Sequence, residues 1–366
     1  MGSSSKHSAF SSENTTRSVS NVKVVFGFRT ALQIHHSMHD PRMRALCDAT
    51  APLKLLEQPA FGLSTCSVSI PQAAPSDADL KNMLERMRER NPHLAFDRPV
   101  HLLVKRGRKH PTPRAAFHSC ASKIPSRALL RLDEKIAIAS PNLALCQIAS
   151  TQMDFVSLLL ILWEACGTYC TSRTGVHSGG SGLFDTKPLT NTRSLKAFCS
   201  KNSHLRGSLK IARCLRYVAD GSASPRETEL ALYFGLPERY GGWNLGIPRM
   251  NEKVIASEKA FAIAGRRSFR CDLCWREARL DVEYQSKQEH QGEAMRISDS
   301  RRANALAAMG WTVIGITNNE ASSLSALGTI ANAIRKQLGK RARRNVGNLG
   351  DRRLELCRKL GLIPFW

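Results

Sequence analysis

Residues 279–290 read "RLDVEYQSKQEH" and contain the alternation that decides the fold of the C-terminal half. Apolar positions alternate with polar ones that carry two carboxylates and an amide, on Asp281, Glu283 and Gln285. Successive side chains of a strand point to opposite faces, so the apolar set can enter a core while the polar set shares the other face. The pattern therefore predicts a strand with an acidic face in a basic protein.

Composition and charge bound the class of protein. The chain has 366 residues, a hydrophobic content of 42% and a formal net charge of +24, so it can bury a core and favours a polyanionic partner, most simply nucleic acid. A basic surface without such a partner is the alternative. Eleven cysteines without a regular spacing are typical of a reducing compartment, and we predict a cytoplasmic location.

The chain divides into four predicted regions. Residues 1–22 form a Ser-rich leader without a signal-peptide core, and residues 23–200 a mixed α/β region. Residues 201–345 form an endonuclease-like region, and residues 346–366 a basic extension. The longest apolar run, "FVSLLLILWEACG" (155–167), is shorter than the about 20 residues that span a bilayer. It predicts a buried helix, and we expect no membrane segment.

Local signals predict several elements in the N-terminal region. Helices are predicted after Ser76 and after Ser140, where Pro141 follows at the first helical position. A strand is predicted over 100–106 and a hairpin over 129–139. The function of this region does not follow from these patterns.

The C-terminal region has a clearer order of elements. Helices are predicted at 205–219 and 220–237, and a Gly/Asn/Pro-rich turn region at 240–253. Two strands follow at 268–275 and 279–286. A helix, a strand and a last helix are predicted at 292–310, 311–318 and 324–345. This order predicts an α/β (α+β) fold with a mixed sheet flanked by helices.

Three carboxylates in this region suit metal-dependent phosphodiester chemistry. Asp272 and Glu283 lie on the two predicted neighbouring strands, and Glu227 lies on the preceding helix. Carboxylate oxygens are preferred ligands of Mg²⁺, and of Mn²⁺, and such an ion would activate a water and neutralise charge on a phosphate. We predict that the Asp272 and Glu283 side chains converge on one face or edge of the sheet and bind the metal.

The C-terminal region contains three motifs in the order "SPRETEL", "FRCDLCW" and "LDVEYQS". They are followed by His290, by a D-x-x-R pair at Asp299 and Arg302, and by "GWTVIGIT". Over roughly 205–320 the chain resembles the PD-(D/E)XK, restriction-endonuclease-like superfamily. The closest resemblance is to very-short-patch-repair-like domains of the kind joined to winged-helix regions of the abortive-infection antitoxin type. The resemblance implies that Glu227 is the helix carboxylate, that Asp272 and Glu283 are metal ligands, and that His290 belongs to the catalytic set.

Gln285 departs from the superfamily pattern, which has Lys at this place, and from this branch, which usually has Asp. An amide cannot accept a proton from water or supply positive charge, although it can orient a water or a metal-bound ligand. We include Gln285 among the predicted catalytic residues on that basis.

Simpler interpretations exist for each motif. Glu227 can complete a capping box by binding the Ser224 backbone N–H, and the acidic strand face can be a solvated one. "RCDLC" has zinc-ligand spacing, but in a strand Cys271 and Cys274 would point to opposite faces.

Basic residues at the end of the last long helix are the predicted DNA contacts, together with Arg302: Lys336, Lys340, Arg341, Arg343 and Arg344. Favourable interaction with the helix dipole explains part of such a cluster. The predicted partners are DNA and, in a homodimer, a second copy of the chain.

Two function classes follow. The first is a Mg²⁺-dependent DNA endonuclease. The second is a catalytically inactive DNA-binding or regulatory protein with the endonuclease fold, of an antitoxin or phage-defence type.

Overall fold

A computed structural model describes residues 22–39, 64–65, 69–90, 94–106, 111–120, 122–132, 135–176, 182–285, 293–341 and 347–363. Within these residues the chain combines helices with mixed parallel and antiparallel sheets, which confirms the predicted α/β class. Among the helices described there, none has the length and apolar composition required to cross a bilayer. Residues 1–21 of the predicted leader lie outside the described residues.

The N-terminal sheet has six strands in the order β2-β5-β6-β1-β3-β4. They are β1 (Val24–Phe26), β2 (Ser64–Thr65), β3 (Val100–Val104), β4 (Ala115–Ser119), β5 (Leu129–Arg131) and β6 (Ile136–Ala139). The predicted strand over 100–106 and the predicted hairpin over 129–139 are confirmed, since β5 and β6 pair antiparallel. A small pair joins β7 (Tyr169–Cys170) to β8 (Leu183–Phe184).

Six helices accompany these strands in the described residues: α1 (Phe28–His39), α2 (Asp77–Arg90), α3 (Pro141–Ala149), α4 (Phe155–Cys166), α5 (Thr192–Lys201) and α6 (Ser208–Cys214). The Ser140 hydroxyl accepts a hydrogen bond from Leu143 N–H, which confirms the predicted N-cap. Ten of the twelve residues of α4 are buried, as the apolar run predicts. The predicted boundary at residues 200/201 falls inside α5.

The C-terminal sheet has the order β12-β11-β10-β9. Its elements follow the chain as α7 (Pro225–Gly235), β9 (Arg249–Ile255), α8 (Glu258–Ala264), β10 (Ser268–Trp275), β11 (Leu280–Gln285), α9 (Glu293–Ala308) and β12 (Thr312–Thr317). The first three strands are antiparallel and β12 pairs parallel to β11. The chain ends with α10 (Asn318–Ala321), α11 (Leu324–Gln337) and α12 (Leu349–Leu360).

Two elements depart from the sequence prediction. The segment of β9 was predicted to be part of a turn region, yet it pairs with β10 along most of its length. Its exposure pattern explains the error, because only Met250 and Val254 are buried. The predicted basic extension 346–366 contains α12, which buries Leu356, Cys357 and Leu360.

One apolar cluster joins the two halves of the chain. It includes residues of α3 and α4 together with residues of α7, β11, α11 and α12. Trp163 of α4 and Tyr233 of α7 are completely buried in it. The packing therefore holds α7, the helix that carries Glu227, against the N-terminal half.

Candidate active site

Asp272 lies where the β10 ladders are interrupted. The β9–β10 register pairs Cys271 with Glu252 and Leu273 with Met250, and leaves Asp272 without a paired residue in β9. The Asp272 carboxylate instead accepts a hydrogen bond of 3.3 Å from the Tyr284 N–H of β11. Asp272 is half-buried and is thus directed toward the neighbouring strand beside Glu283.

The electrostatic environment of Asp272 is unfavourable to its charge. Burial, then the negative charges of Glu227 and Glu283, raise the pKa of Asp272 to about 7, against a partial opposing effect of Arg302 and of the Tyr284 hydrogen bond. The predicted adjacency of β10 and β11 is confirmed by their antiparallel register, in which Leu273 pairs with Val282. The structure therefore brings the three predicted carboxylates within electrostatic range of one another.

Glu227 is held by three donors at the start of α7. Its carboxylate accepts hydrogen bonds from Ala223 N–H (3.0 Å), from the Ser224 hydroxyl (2.9 Å) and from the Asn251 amide of β9 (2.7 Å). Ser224 is the N-cap of α7, as the capping interpretation predicts, but the backbone donor is Ala223 and not Ser224. Since Asn251 has a positive φ of 50°, β9 distorts where it meets Glu227.

The acidic face of β11 lies beside α9, where Arg302 pairs with it. Asp281 is fully buried, and its oxygens accept no hydrogen bond of standard geometry from a described residue. The Arg302 guanidinium forms an ion pair with Glu283 and lies 3.5 Å from Asp281. Burial and the nearby Glu283 charge raise the pKa of Asp281. The solvated-face interpretation is therefore wrong for Asp281.

Of the other two predicted catalytic residues, only Gln285 is among the described ones. Gln285 is exposed, and its amide nitrogen lies 3.0 Å from the position that a Cβ atom on Gly315 of β12 would occupy. Gly315 is paired with Glu283 across the β11–β12 ladder, so the Gln285 amide lies on the β12 side of Glu283, whereas Asp272 lies on β10. His290 lies outside the described residues.

The predicted DNA contacts divide into different environments. The Lys340 ammonium donates to the backbone oxygens of Asn244 (3.2 Å) and Leu245 (2.8 Å), and it therefore has a structural role. Arg302 is likewise engaged inside the protein, with only 18% of its side chain exposed. Lys336 and Arg341 are exposed, whereas residues 343 and 344 lie outside the described residues.

Cys271 and Cys274 lie in one buried apolar cluster with Val254. The expectation that they point to opposite faces is wrong, because Cys271 packs in this cluster with Cys274, whereas Leu273 between them packs in the main apolar cluster. Neither thiol forms a disulfide. Contact with the Cys274 thiol, then burial and the negative charge of the nearby Asp281, raise the pKa of the Cys271 thiol.

The donor set suits a metal site that substrate would complete. In the described part of the chain, no three His, Cys, Asp or Glu side chains are arranged to hold an ion by themselves. Mg²⁺ usually keeps several waters and binds through one or two carboxylates plus a substrate phosphate. Asp272 forms no ion pair with a described side chain, and its pKa is raised first by burial and then by the negative charges of Glu227 and Glu283, which a cation would offset. Asp272 and Glu283 therefore fit such a set, and Glu227 is engaged in holding Asn251.

Sequence reasoning missed two residues of the site. Asn251 links α7 to β9, and it lies in the segment that was predicted to be a turn. Asp281 was predicted to share a strand face with Glu283 but was not included among the site residues, because the alternation does not show that this face is buried.

Comparison of the chain with protein-family models, with curated proteins and with solved structures gives no match.

Proposed function

We propose that the C-terminal half binds DNA and hydrolyses its phosphodiester bonds in a Mg²⁺- or Mn²⁺-dependent reaction. The observation that carries the proposal is the half-buried Asp272, which lies at a break in the sheet between the negative charges of Glu227 and Glu283. Such a concentration of carboxylates is costly in a folded protein without a compensating cation, and groups perturbed in this way are typical of functional sites. A net charge of +24 supplies the attraction for a polyanion.

Each residue has a distinct role in this proposal. A bound divalent cation lowers the pKa of an attacking water and neutralises charge that develops on the phosphate. Asp272 and Glu283 would hold that cation, while Arg302 orients Glu283 through their ion pair. Glu227 positions the distorted part of β9 through Asn251. The resemblance to the restriction-endonuclease-like superfamily supports the same assignment of Asp272 and Glu283.

A second candidate is a DNA-binding or regulatory protein that has the same fold without catalysis, of an antitoxin or phage-defence type. Two observations favour it. Gln285 stands where the superfamily has Lys, and Glu283 is already paired with Arg302. Under this candidate the acidic cluster has no substrate, and binding of DNA depends on basic residues alone.

Nicking of supercoiled plasmid by the purified protein, with Mg²⁺ or Mn²⁺ and with chelator, separates the two candidates. Catalysis predicts metal-dependent nicking that Asp272→Ala abolishes and that Glu258→Ala, at an exposed carboxylate of α8, leaves unchanged. Gln285→Lys should raise the rate, because it adds positive charge near the scissile phosphate. If neither wild type nor Asp272→Ala nicks the plasmid while both bind it equally, the second candidate stands.

A further inference from the structure

A groove of about 360 Å³ lies beside the acidic cluster, between the outer parts of β9 and β10 and the facing residues of α9. Its lining includes Asn251, Ser268 and the edge of Phe269. The remaining lining residues all carry positive charge: Lys253, Arg266, Arg270 and Arg302. No carboxylate lines this groove, although the neighbouring site is strongly acidic.

The arrangement of these cations is unfavourable in the protein alone. Lys253 and Arg270 are directly opposite each other across the β9–β10 ladder, and both are exposed. Like charges at such positions destabilise a strand pair. None of Lys253, Arg266 and Arg270 forms an ion pair with a carboxylate in the described part of the chain. An anion in the groove would remove this repulsion.

The groove is connected to the acidic cluster by hydrogen bonds. The Arg270 guanidinium donates to the Asn251 side-chain oxygen (2.6 Å), and the Asn251 amide donates to Glu227 (2.7 Å). Arg302 lines the groove and also forms the ion pair with Glu283. One end of the cationic row therefore meets the carboxylates around Asp272.

We propose that this groove binds the sugar–phosphate backbone of DNA, with Lys253 and Arg266 contacting phosphates on one side of the phosphate that lies next to Asp272. The identity of the polymer rests on the proposed function. Contacts of this kind fix the position of the duplex and do not read its sequence. Arg270 and Arg302 shape the groove, because their guanidinium groups are held by Asn251 and by Glu283. The main DNA contact is therefore proposed to lie on the C-terminal sheet and not at the end of α11.

The test is DNA affinity measured by fluorescence anisotropy across a range of salt concentrations, with chelator present so that no cleavage occurs. The groove variant is Lys253→Ala/Arg266→Ala. Its matched control is Lys196→Ala/Lys259→Ala, which removes the same charge at exposed positions of α5 and α8 that do not line the groove. The groove variant should bind more weakly than the control, and its salt slope should flatten by about one for each lost phosphate contact.

The outcomes separate this proposal from catalysis. Equal affinity and salt slope in the two double variants would overturn the groove, whether or not the wild type nicks plasmid. A loss of DNA affinity in the groove variant but not in the control supports the groove. This holds even if the wild type never nicks plasmid, a result that would overturn only the proposed catalysis. Tighter binding of an RNA duplex with the same sequence would overturn the assignment to DNA. Unchanged circular dichroism spectra confirm that both variants are folded.

Discussion

The Arg302 guanidinium of α9 forms an ion pair with the Glu283 carboxylate of β11 and lies 3.5 Å from the fully buried Asp281. One cation therefore compensates two carboxylates that alternate along the strand. It also connects the acidic cluster to the cationic groove, because Arg302 lines both. Arg302 of the following helix thus pairs with both carboxylates on the acidic face of β11.

Arg302→Ala should destabilise the protein strongly. Removing one partner of a buried ion pair leaves uncompensated charge and costs about 3 to 5 kcal/mol. We expect a decrease of that order in the free energy of unfolding, measured by urea denaturation at neutral pH. Arg301→Ala, at an exposed position of the same helix, is the control and should change stability by less than about 0.5 kcal/mol. Equal stability of the two variants would show that Arg302 does not compensate Asp281 and Glu283.

Asp272→Asn should stabilise the fold at alkaline pH. The folded pKa is raised from the ordinary 3.8 to about 7, so between these values the folded protein holds a proton that the unfolded chain has released. The contribution of Asp272 to stability therefore decreases as pH rises from about 4 to about 7. We expect the variant to exceed wild type by about 1 to 2 kcal/mol above this window, and the difference to disappear at its acidic end.

Comparing the free energies of unfolding of Asp272→Asn and wild type at the same pH cancels the contributions of other titrating groups, including Asp281. A difference between Asp272→Asn and wild type that does not depend on pH would show that Asp272 is not the group responsible.

Mg²⁺ should raise the melting temperature of wild type and leave that of Asp272→Asn unchanged, because an ion that binds only the folded state stabilises it.

Lys340 and Lys336 should behave differently although both were predicted to bind DNA. Lys340→Ala removes two hydrogen bonds to the backbone of residues 244 and 245, and should lower the free energy of unfolding by about 1 to 3 kcal/mol. Lys336→Ala removes an exposed charge and should leave stability unchanged. Denaturation and anisotropy measured on both variants test this, and a loss of DNA affinity without a loss of stability in Lys340→Ala would contradict it.

Leu356→Ala should show that α12 belongs to the core. Leu356 is 1% exposed and packs in the cluster that joins the two halves of the chain. Truncation of a buried Leu costs about 2 to 5 kcal/mol, measured by urea denaturation. Glu355→Ala, at the preceding exposed position, should cost less than about 1 kcal/mol. A similar cost for both would indicate that the helix only rests on the surface.

Hydrophobic alternation and helix signals determined the elements that have a strong pattern. The strands β10 and β11 follow from the alternation of their apolar residues, and β12 and the helix α4 follow from their apolar runs. The pairing of β10 with β11, and the closeness of Asp272 to Glu283, follow from the short connection between the two strands. These relationships are local along the chain, and local rules describe them.

Only the tertiary structure decided which partner each polar side chain has. Asn251 meets Glu227 from 24 residues away, and Arg302 reaches Asp281 across the packing of α9 on the sheet. The strand β9 escaped prediction because only two of its seven side chains are buried, and its pairing with β10 defines it. The cost of a buried charge depends on all its neighbours in space, whereas a sequence pattern specifies only which face a side chain occupies.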